Sequence, residues 1–525
     1  MTAHAAWLAG EQACERKDFA AAEAHYRRAL VLAPGHAPAL VGLSTALTQR
    51  GRHREAREAA VAAFEHRPQQ IPPVLYAIAQ RLRYFHEFER LVECLRAPAF
   101  VQGAPVDVLA RAAVMLSSIG AHEEALAMAH AGVAREPANA ATLHVLGNFL
   151  LFRGEIDAAE AHYEASLRSD PLLFQNSLTL AGVRTQTTER NHVPRLHEQL
   201  AKARRGGQGE IYLYFALHRE LHDLQRYDEA WYALERGCQA KRRLIDYRLE
   251  DDAALVDALG RVCTPAFVAE CSEVQQPSVP IFIVGMHRSG TTLLERMLAG
   301  HSLIGDAGET SAFHAEMELA VDLAAPQGPN AETVRRAGEA DFDAVARGYA
   351  RRARWLSRGK PFFTEKLPQN FLNVGFIAKA LPQARFLHLV RDPMDTCFSN
   401  LRQLFSGAAL YSYDQRELAG FYLLYRRAMA HWRSVLPGRV LDISYERLVA
   451  EPDAVAREVA LHCGVEFEPG MVDLARPAGA VATPSATLAR QGFRRDRGQL
   501  WRRYEAHLGP LWEALQPAYA EPVPA

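Results

Sequence analysis

Residues Gly285-Met286-His287-Arg288-Ser289-Gly290-Thr291-Thr292 hold two glycines, a guanidinium and three hydroxyls in one short loop. The apolar run Ile281-Phe282-Ile283-Val284 before it reads as a buried parallel strand. Thr292-Leu293-Leu294-Glu295-Arg296-Met297-Leu298 after it reads as a helix. Strand, glycine-rich loop and helix make a phosphate cradle. The glycines let backbone amides turn inward, the helix N-terminus adds partial positive charge, and the hydroxyls donate hydrogen bonds. The spacing Gly285 to Gly290 fits a Walker A loop, but Thr291 stands where that loop carries the lysine that grips the terminal phosphates of ATP or GTP. This argues against an ordinary NTPase and leaves Arg288 as the available cation.

A second unit lies at Ala384-Arg385-Phe386-Leu387-His388-Leu389-Val390-Arg391-Asp392-Pro393, a strand that ends in a polar turn and leads into helical spacing over 394–405. Arg391 falls at the carboxyl end of this strand, where open α/β sheets bind ligands. Ser399 follows eight residues later on the helix, and the two side chains can bond one phosphate. The local alternative is that Arg391 and Asp392 only cap and pair with each other.

Together these segments resemble the sulfotransferase superfamily that uses 3′-phosphoadenosine 5′-phosphosulfate (PAPS). Arg288-Ser289-Gly290-Thr291-Thr292 looks like its 5′-phosphosulfate loop, and Arg391 with Ser399 looks like its 3′-phosphate motif at the family's spacing. The resemblance covers residues 280 to about 515. It is strongest toward bacterial sulfotransferases with N-terminal tetratricopeptide repeats, which are similar to the tyrosylprotein sulfotransferases. Gly308-Glu309-Thr310 looks like the stretch that holds the catalytic glutamate of the tyrosylprotein enzymes, and its position 21 residues after Arg288 agrees. The resemblance implies that Glu309 takes the proton of the attacking hydroxyl. His287, His301 and His314 are rival bases, since other branches use histidine, but none has the matching position. Thr364-Glu365-Lys366-Leu367-Pro368-Gln369-Asn370 resembles the segment with the family's catalytic lysine. By that likeness Lys366 meets the bridging oxygen of the leaving phosphate and Arg288 holds the sulfuryl oxygens, which is positioning and electrostatics without a metal. A local Glu365–Lys366 salt bridge is the plain alternative.

The C-terminal stretch Thr483-Pro484-Ser485 through Trp501-Arg502-Arg503-Tyr504 also resembles the tyrosylprotein enzymes. There a serine and a lysine just before a tryptophan touch the nucleotide. Ser485, 16 residues before Trp501, matches the serine, whereas Leu500 departs from the lysine. Arg490, Arg494, Arg495 and Arg497 are nearby basic candidates to compensate. Tyr445, in Ser444-Tyr445-Glu446-Arg447-Leu448 after the strand Val440-Leu441-Asp442-Ile443, reads as a packing residue.

The elements ahead of this half form a repeat. Ala22, Tyr26, Ala29 and Pro34 recur 34 residues on as Ala56, Ala60, Ala63 and Pro68, and again as Ala125, Ala129, Gly132 and Pro137 and as Ala159, Tyr163, Ser166 and Pro171. Tyr227-Asp228-Glu229-Ala230 begins a further helix of the type. The period, the small residues where two helices touch and the closing proline are the signature of tetratricopeptide repeats. Residues 73–102 and 172–205 fit the frame poorly and are taken as degenerate copies. The expected architecture is an all-α tetratricopeptide repeat solenoid over 1–240, a helical connector over 241–276, and an α/β P-loop-like sulfotransferase domain with a mostly parallel sheet over 277–525. Such arrays present a concave surface to peptides or proteins, and equally serve as scaffolds or dimer contacts.

Composition bounds the rest. In 525 residues, 49% are hydrophobic and 23% charged, which suits globular domains with real cores. A net charge of −1 gives no global reason for a nucleic-acid partner or an acidic membrane. Seven scattered cysteines show no zinc spacing and suit a reducing compartment. No signal peptide or membrane span is expected, so the expected location is cytoplasmic. The reading is transfer of a sulfuryl group from PAPS, as co-substrate, to a hydroxyl, with a protein or peptide tyrosine among the candidates and a small phenol, a lipid or a glycan as others. A homodimer is a further possibility. The alternatives are a nucleotide kinase or NTPase, and a non-catalytic repeat scaffold.

Overall fold

The computed structural model describes residues 2–474 and 498–520. The chain divides into two compact units, one of Met1–Pro137, Ser311–Gly328 and Arg336–Trp355, the other of Ala138–Thr310, Pro329–Arg335 and Leu356–Ala525.

The first unit contains the hairpins Ala3–Glu15/Phe19–Leu32, Ala37–Gln49/His53–Glu65, Pro72–Tyr84/Phe88–Arg96 and Val106–Ser117/His122–Arg135. Glycine opposite tyrosine is what brings the helices together. The Tyr26 ring lies so close to Gly10 and Gly42 that a Cβ at either would come within 2.4 Å of it. The Tyr26 hydroxyl donates to Glu11 Oε1 at 2.6 Å, so the buried polar end is satisfied. Asp18 caps the second helix by accepting from Ala21 N at 3.0 Å. The segments 311–328 and 336–355, which follow the phosphate loop in sequence, pack within this unit. Arg54 donates to the Leu319 carbonyl at 2.7 Å, and Arg352 pairs with Glu316 at 2.6 Å and donates to the Phe85 carbonyl at 3.2 Å.

The second unit opens with the hairpin Ala140–Arg153/Ile156–Ser169, the helices Phe174–Leu180 and Val193–Lys202, and the hairpin Gln208–Asp223/Tyr227–Arg242. Tyr163 repeats the Tyr26 arrangement: its ring closes on Gly147 and its hydroxyl donates to Asn148 Oδ1 at 2.8 Å. Of the poor matches to the repeat frame, 73–102 also forms a helical hairpin, whereas 172–205 forms two helices that both pack on Gln208–Asp223.

The same unit holds five strands, β1 (Val279–Gly285), β2 (Ile304–Asp306), β3 (Phe362–Glu365), β4 (Arg385–Val390) and β5 (Val440–Ser444). All pairs are parallel and the order is β2-β3-β1-β4-β5. The central strand β1 is buried over six of its seven residues, which explains its uninterrupted apolar run. The helix Thr291–Leu298 packs Leu294, Met297 and Leu298 against Ile281, Ile283 and Leu387 of the sheet. Because all strands run the same way, their carboxyl ends share one edge, and there the loops diverge on either side of β1.

Candidate active site

Four neighbouring strands each deliver one candidate residue at that edge. Arg288 lies in the loop after β1, Glu309 after β2, Lys366 directly after β3 and Arg391 directly after β4. A parallel sheet thus gathers side chains that are up to about a hundred residues apart in sequence.

The loop after β1 has the backbone that a cradle requires. Gly285 and Gly290 take φ of +155° and +106°, and Arg288 is itself at +67°. A side chain at Gly285 would meet the Leu389 carbonyl at 2.8 Å, and one at Gly290 would strike the Tyr445 ring at 2.5 Å. Tyr445 therefore packs on the loop as its sequence position suggested, and it also lies under the Arg391 guanidinium, 4.7 Å away. Ser289, Thr291 and Thr292 are buried at the start of the helix Thr291–Leu298. The Ser289 hydroxyl has no hydrogen-bond partner among the described residues. A buried orphan hydroxyl beside a helix N-terminus and a left-handed glycine suits a phosphate oxygen.

Lys366 is fully buried and its ammonium pairs with the half-exposed carboxylate of Glu309. The backbone reinforces this: Lys366 N donates to the Gly308 carbonyl at 2.9 Å, and Ala307 N to that of Thr364 at 3.0 Å. The surface pair of Glu365 with Lys366 does not form. Glu365 is buried and accepts from Asn370 at 3.4 Å, since successive strand-end side chains point to opposite faces. Glu295, on the helix after the loop, accepts from Thr364 Oγ1 at 3.3 Å. Burial pushes its carboxyl up to about 7, against the opposing charge of Lys366.

Arg288 and Ser399, candidates for opposite ends of a nucleotide, meet directly: Arg288 Nε donates to Ser399 Oγ at 3.3 Å. The helix Pro393–Leu401 that carries Ser399 is also tied to the loop by Asn400, whose amide donates to the His287 carbonyl at 2.6 Å. Burial, then the charges of Arg219, Arg391 and Arg402, lowers the Arg288 guanidinium to about 10.

Of the rival bases, His301 donates Nε2 to the Glu466 carbonyl at 2.8 Å and accepts from Leu303 N, and His314 donates to the Ala325 carbonyl at 2.7 Å, so both are engaged in local structure. His287 faces the Tyr411 hydroxyl at 3.0 Å, and burial holds it down to about 4. Ser485, Arg490, Arg494, Arg495 and Arg497 lie outside the described residues. Trp501 stacks on Trp512 at 5.9 Å, and Arg503 donates to the Tyr227 hydroxyl at 2.6 Å. Glu295, Asn400 and Arg402 were not singled out from sequence. Arg402 lies one helical turn beyond Ser399, a spacing that could have marked it. Among the described residues no helix is long and apolar enough to cross a membrane, and no cluster of His, Cys, Asp or Glu is placed to hold a metal ion.

A parallel sheet with a phosphate-type loop at its central strand defines a class that sequence comparison then specifies. Residues 280–469 match the sulfotransferase family model and residues 13–80 a tetratricopeptide repeat model. Residues 280–469 are thus similar to the sulfotransferase family and residues 13–80 to tetratricopeptide repeats. It is 31% identical over 313 residues to an uncharacterized protein of Aquifex aeolicus (strain VF5), a match that covers 58% of this chain and 41% of that protein. It thus spans less than half the length of that relative. Over 195 residues it is 24% identical to a Caenorhabditis briggsae protein named "Putative protein-tyrosine sulfotransferase", covering 37% of this chain and 68% of that one. The sulfotransferase domain of the Synechococcus PCC 7002 olefin synthase is similar at 20% identity and a TM-score of 0.33, covering 48% of this chain and 98% of that one.

Proposed function

We propose that this protein transfers the sulfuryl group of PAPS to a hydroxyl acceptor, with a protein or peptide tyrosine as the acceptor class that the name of one relative and the repeats favour. The observation that carries this reading is the convergence of Arg288, Glu309, Lys366 and Arg391 at the ends of four adjacent parallel strands.

In this reading Ser289, Gly290, Thr291 and Thr292 hold the 5′-phosphate through the loop amides and hydroxyls, and Arg391 with Ser399 holds the 3′-phosphate. Ser485 is proposed as a further nucleotide contact. The buried ammonium of Lys366 faces the donor, and the half-exposed Glu309 faces the acceptor. An acceptor hydroxyl that replaces Lys366 as the donor to Glu309 passes its proton to that carboxylate while its oxygen attacks sulfur. The bond from sulfur to the bridging oxygen breaks, and Lys366, released from Glu309, meets the charge that develops on that oxygen. Arg288 holds the sulfuryl oxygens. The repeats are proposed to receive the acceptor polypeptide.

A nucleotide kinase is disfavoured by Thr291 at the lysine position of the loop. A scaffold without catalysis is disfavoured by an intact constellation at the strand ends. Incubation of the full chain with sulfur-labelled PAPS and a tyrosine-peptide library, with products identified by mass spectrometry, tests the proposal. Label in peptide tyrosine supports it; turnover of ATP with magnesium and none of PAPS refutes it.

A further inference from the structure

By sequence the helix Gln208–Asp223 belongs to the repeat half of the chain, yet two of its side chains reach the end of the helix that bears Ser399, His218 bonding Arg402 and Arg219 bonding Gln403. His218 is fully buried and donates Nδ1 to the Ala230 carbonyl at 2.9 Å, which leaves Nε2 as an acceptor. Arg402 Nε donates to that nitrogen at 2.8 Å, so a neutral imidazole from this helix orients the Arg402 guanidinium. Burial keeps His218 well below the ordinary imidazole range, in accord with this tautomer. The next residue, Arg219, reaches Gln403 Oε1 at 3.4 Å.

Arg402 ends the helix that bears Ser399, one turn away on the same face, and Ser399 bonds Arg288 at 3.3 Å. The like charges of Arg219, Arg391 and Arg402 lie near enough to Arg288 to lower its guanidinium. Among the described residues neither Arg219 nor Arg402 forms an ion pair with a carboxylate. Asp223 is the acid that acts on them, and its carboxylate is committed to Gln186 N at 3.0 Å. Like charges gathered in a recess cost stability unless an anion enters among them. Such a gathering of cations suits a ligand anion.

We propose that Arg219 and Arg402 complete the site of the donor's 3′-phosphate beside Arg391 and Ser399, so that the repeat-type helix Gln208–Asp223 is part of the nucleotide site. The inference rests on the PAPS reading and adds to it Arg219, which lies outside the sulfotransferase-family match. It also supplies a basic group to a site whose expected C-terminal lysine is replaced by Leu500.

Calorimetry on the full chain tests it, with adenosine 3′,5′-bisphosphate and with adenosine 5′-monophosphate as probes. Arg219→Gln should weaken the bisphosphate by roughly 10-fold or more, the scale of a lost charge-assisted hydrogen bond, and leave the monophosphate unchanged. Arg219→Lys should fall between. Without nucleotide the melting temperature of Arg219→Gln should equal or exceed that of the wild type, because a repelling charge is gone. Unchanged bisphosphate affinity, equal losses for both nucleotides, a lowered melting temperature with both losses, or an effect confined to the acceptor's KM would overturn the inference. Failure of the wild type itself to bind the bisphosphate would instead overturn the donor reading, and this inference with it.

Discussion

The buried ammonium of Lys366 pairs with the half-exposed carboxylate of Glu309 across 57 residues of sequence, held by backbone bonds between the loop after β2 and the end of β3. The pair has a resting logic. It neutralises a buried cation, and in the proposed reaction it separates into a base and a charge stabiliser when both substrates arrive.

Glu309→Ala should therefore abolish turnover, by about 100-fold or more as for loss of a general base, while nucleotide affinity stays close to that of the wild type. Single-turnover kinetics and calorimetry together check this. A large loss of nucleotide binding would place Glu309 on the donor side and contradict the role.

Arg391→Ala should weaken the nucleotide only when it bears a 3′-phosphate, by roughly 10- to 100-fold for a bidentate cation. Titration of the bisphosphate and the monophosphate against the same variant reads this directly. Equal losses would mean that Arg391 acts through its stacking on Tyr445 and not on a phosphate.

Gly290→Ala should be damaging for two reasons. Its φ of +106° disfavours any Cβ, and that atom would lie 2.5 Å from the Tyr445 ring. We expect a loss of about 1–3 kcal/mol in urea unfolding and weakened nucleotide binding. Combining it with Tyr445→Ala should recover part of the stability, because the clash is removed and the strain is not.

The candidate site was legible in sequence where its residue types fall in short motifs. Gly285 to Thr292, Glu309, Lys366 and the pair Arg391 and Ser399 carry recognisable spacing, and the parallel sheet brings their segments to one edge. The tyrosine positions Tyr26 and Tyr163 were legible from the 34-residue period, whereas Gly10 and Gly42, on which the Tyr26 ring closes, were not singled out. The Arg288–Ser399 bond was not legible, since motifs assign residues to ligand groups and not to each other. Arg219 and His218 were hidden because a repeat helix presents a period, and nothing in that period marks the residue that leaves the core for a neighbouring site. The packing of segments 311–328 and 336–355 within the first unit was hidden for a similar reason, because Arg54 and Arg352 bond to backbone carbonyls, which any sequence supplies.

Glu295 sets a pH dependence. Its carboxyl is raised from 4.5 to about 7 by burial, so the folded state keeps a proton that the unfolded chain releases. Its contribution to stability is complete below pH 4.5 and is lost as pH rises toward 7, by up to about 3 kcal/mol. Glu295→Gln, which keeps an acceptor for Thr364, should match the wild type at pH 5 and exceed it at pH 8 in chemical unfolding. Parallel pH profiles for the two proteins would show that Glu295 is ionised in the fold.

The central claim is that the four strand-end residues carry sulfuryl transfer from PAPS, three toward the donor and Glu309 toward the acceptor. Transfer of label from sulfur-labelled PAPS to a peptide tyrosine, measured for wild type, Lys366→Ala and Glu309→Ala under saturating donor, tests it most directly. The account predicts labelled product with the wild type and at least about a 100-fold fall with each variant. Labelling that persists unchanged in both variants, or none from the wild type with any hydroxyl acceptor while it still binds the bisphosphate, would contradict it.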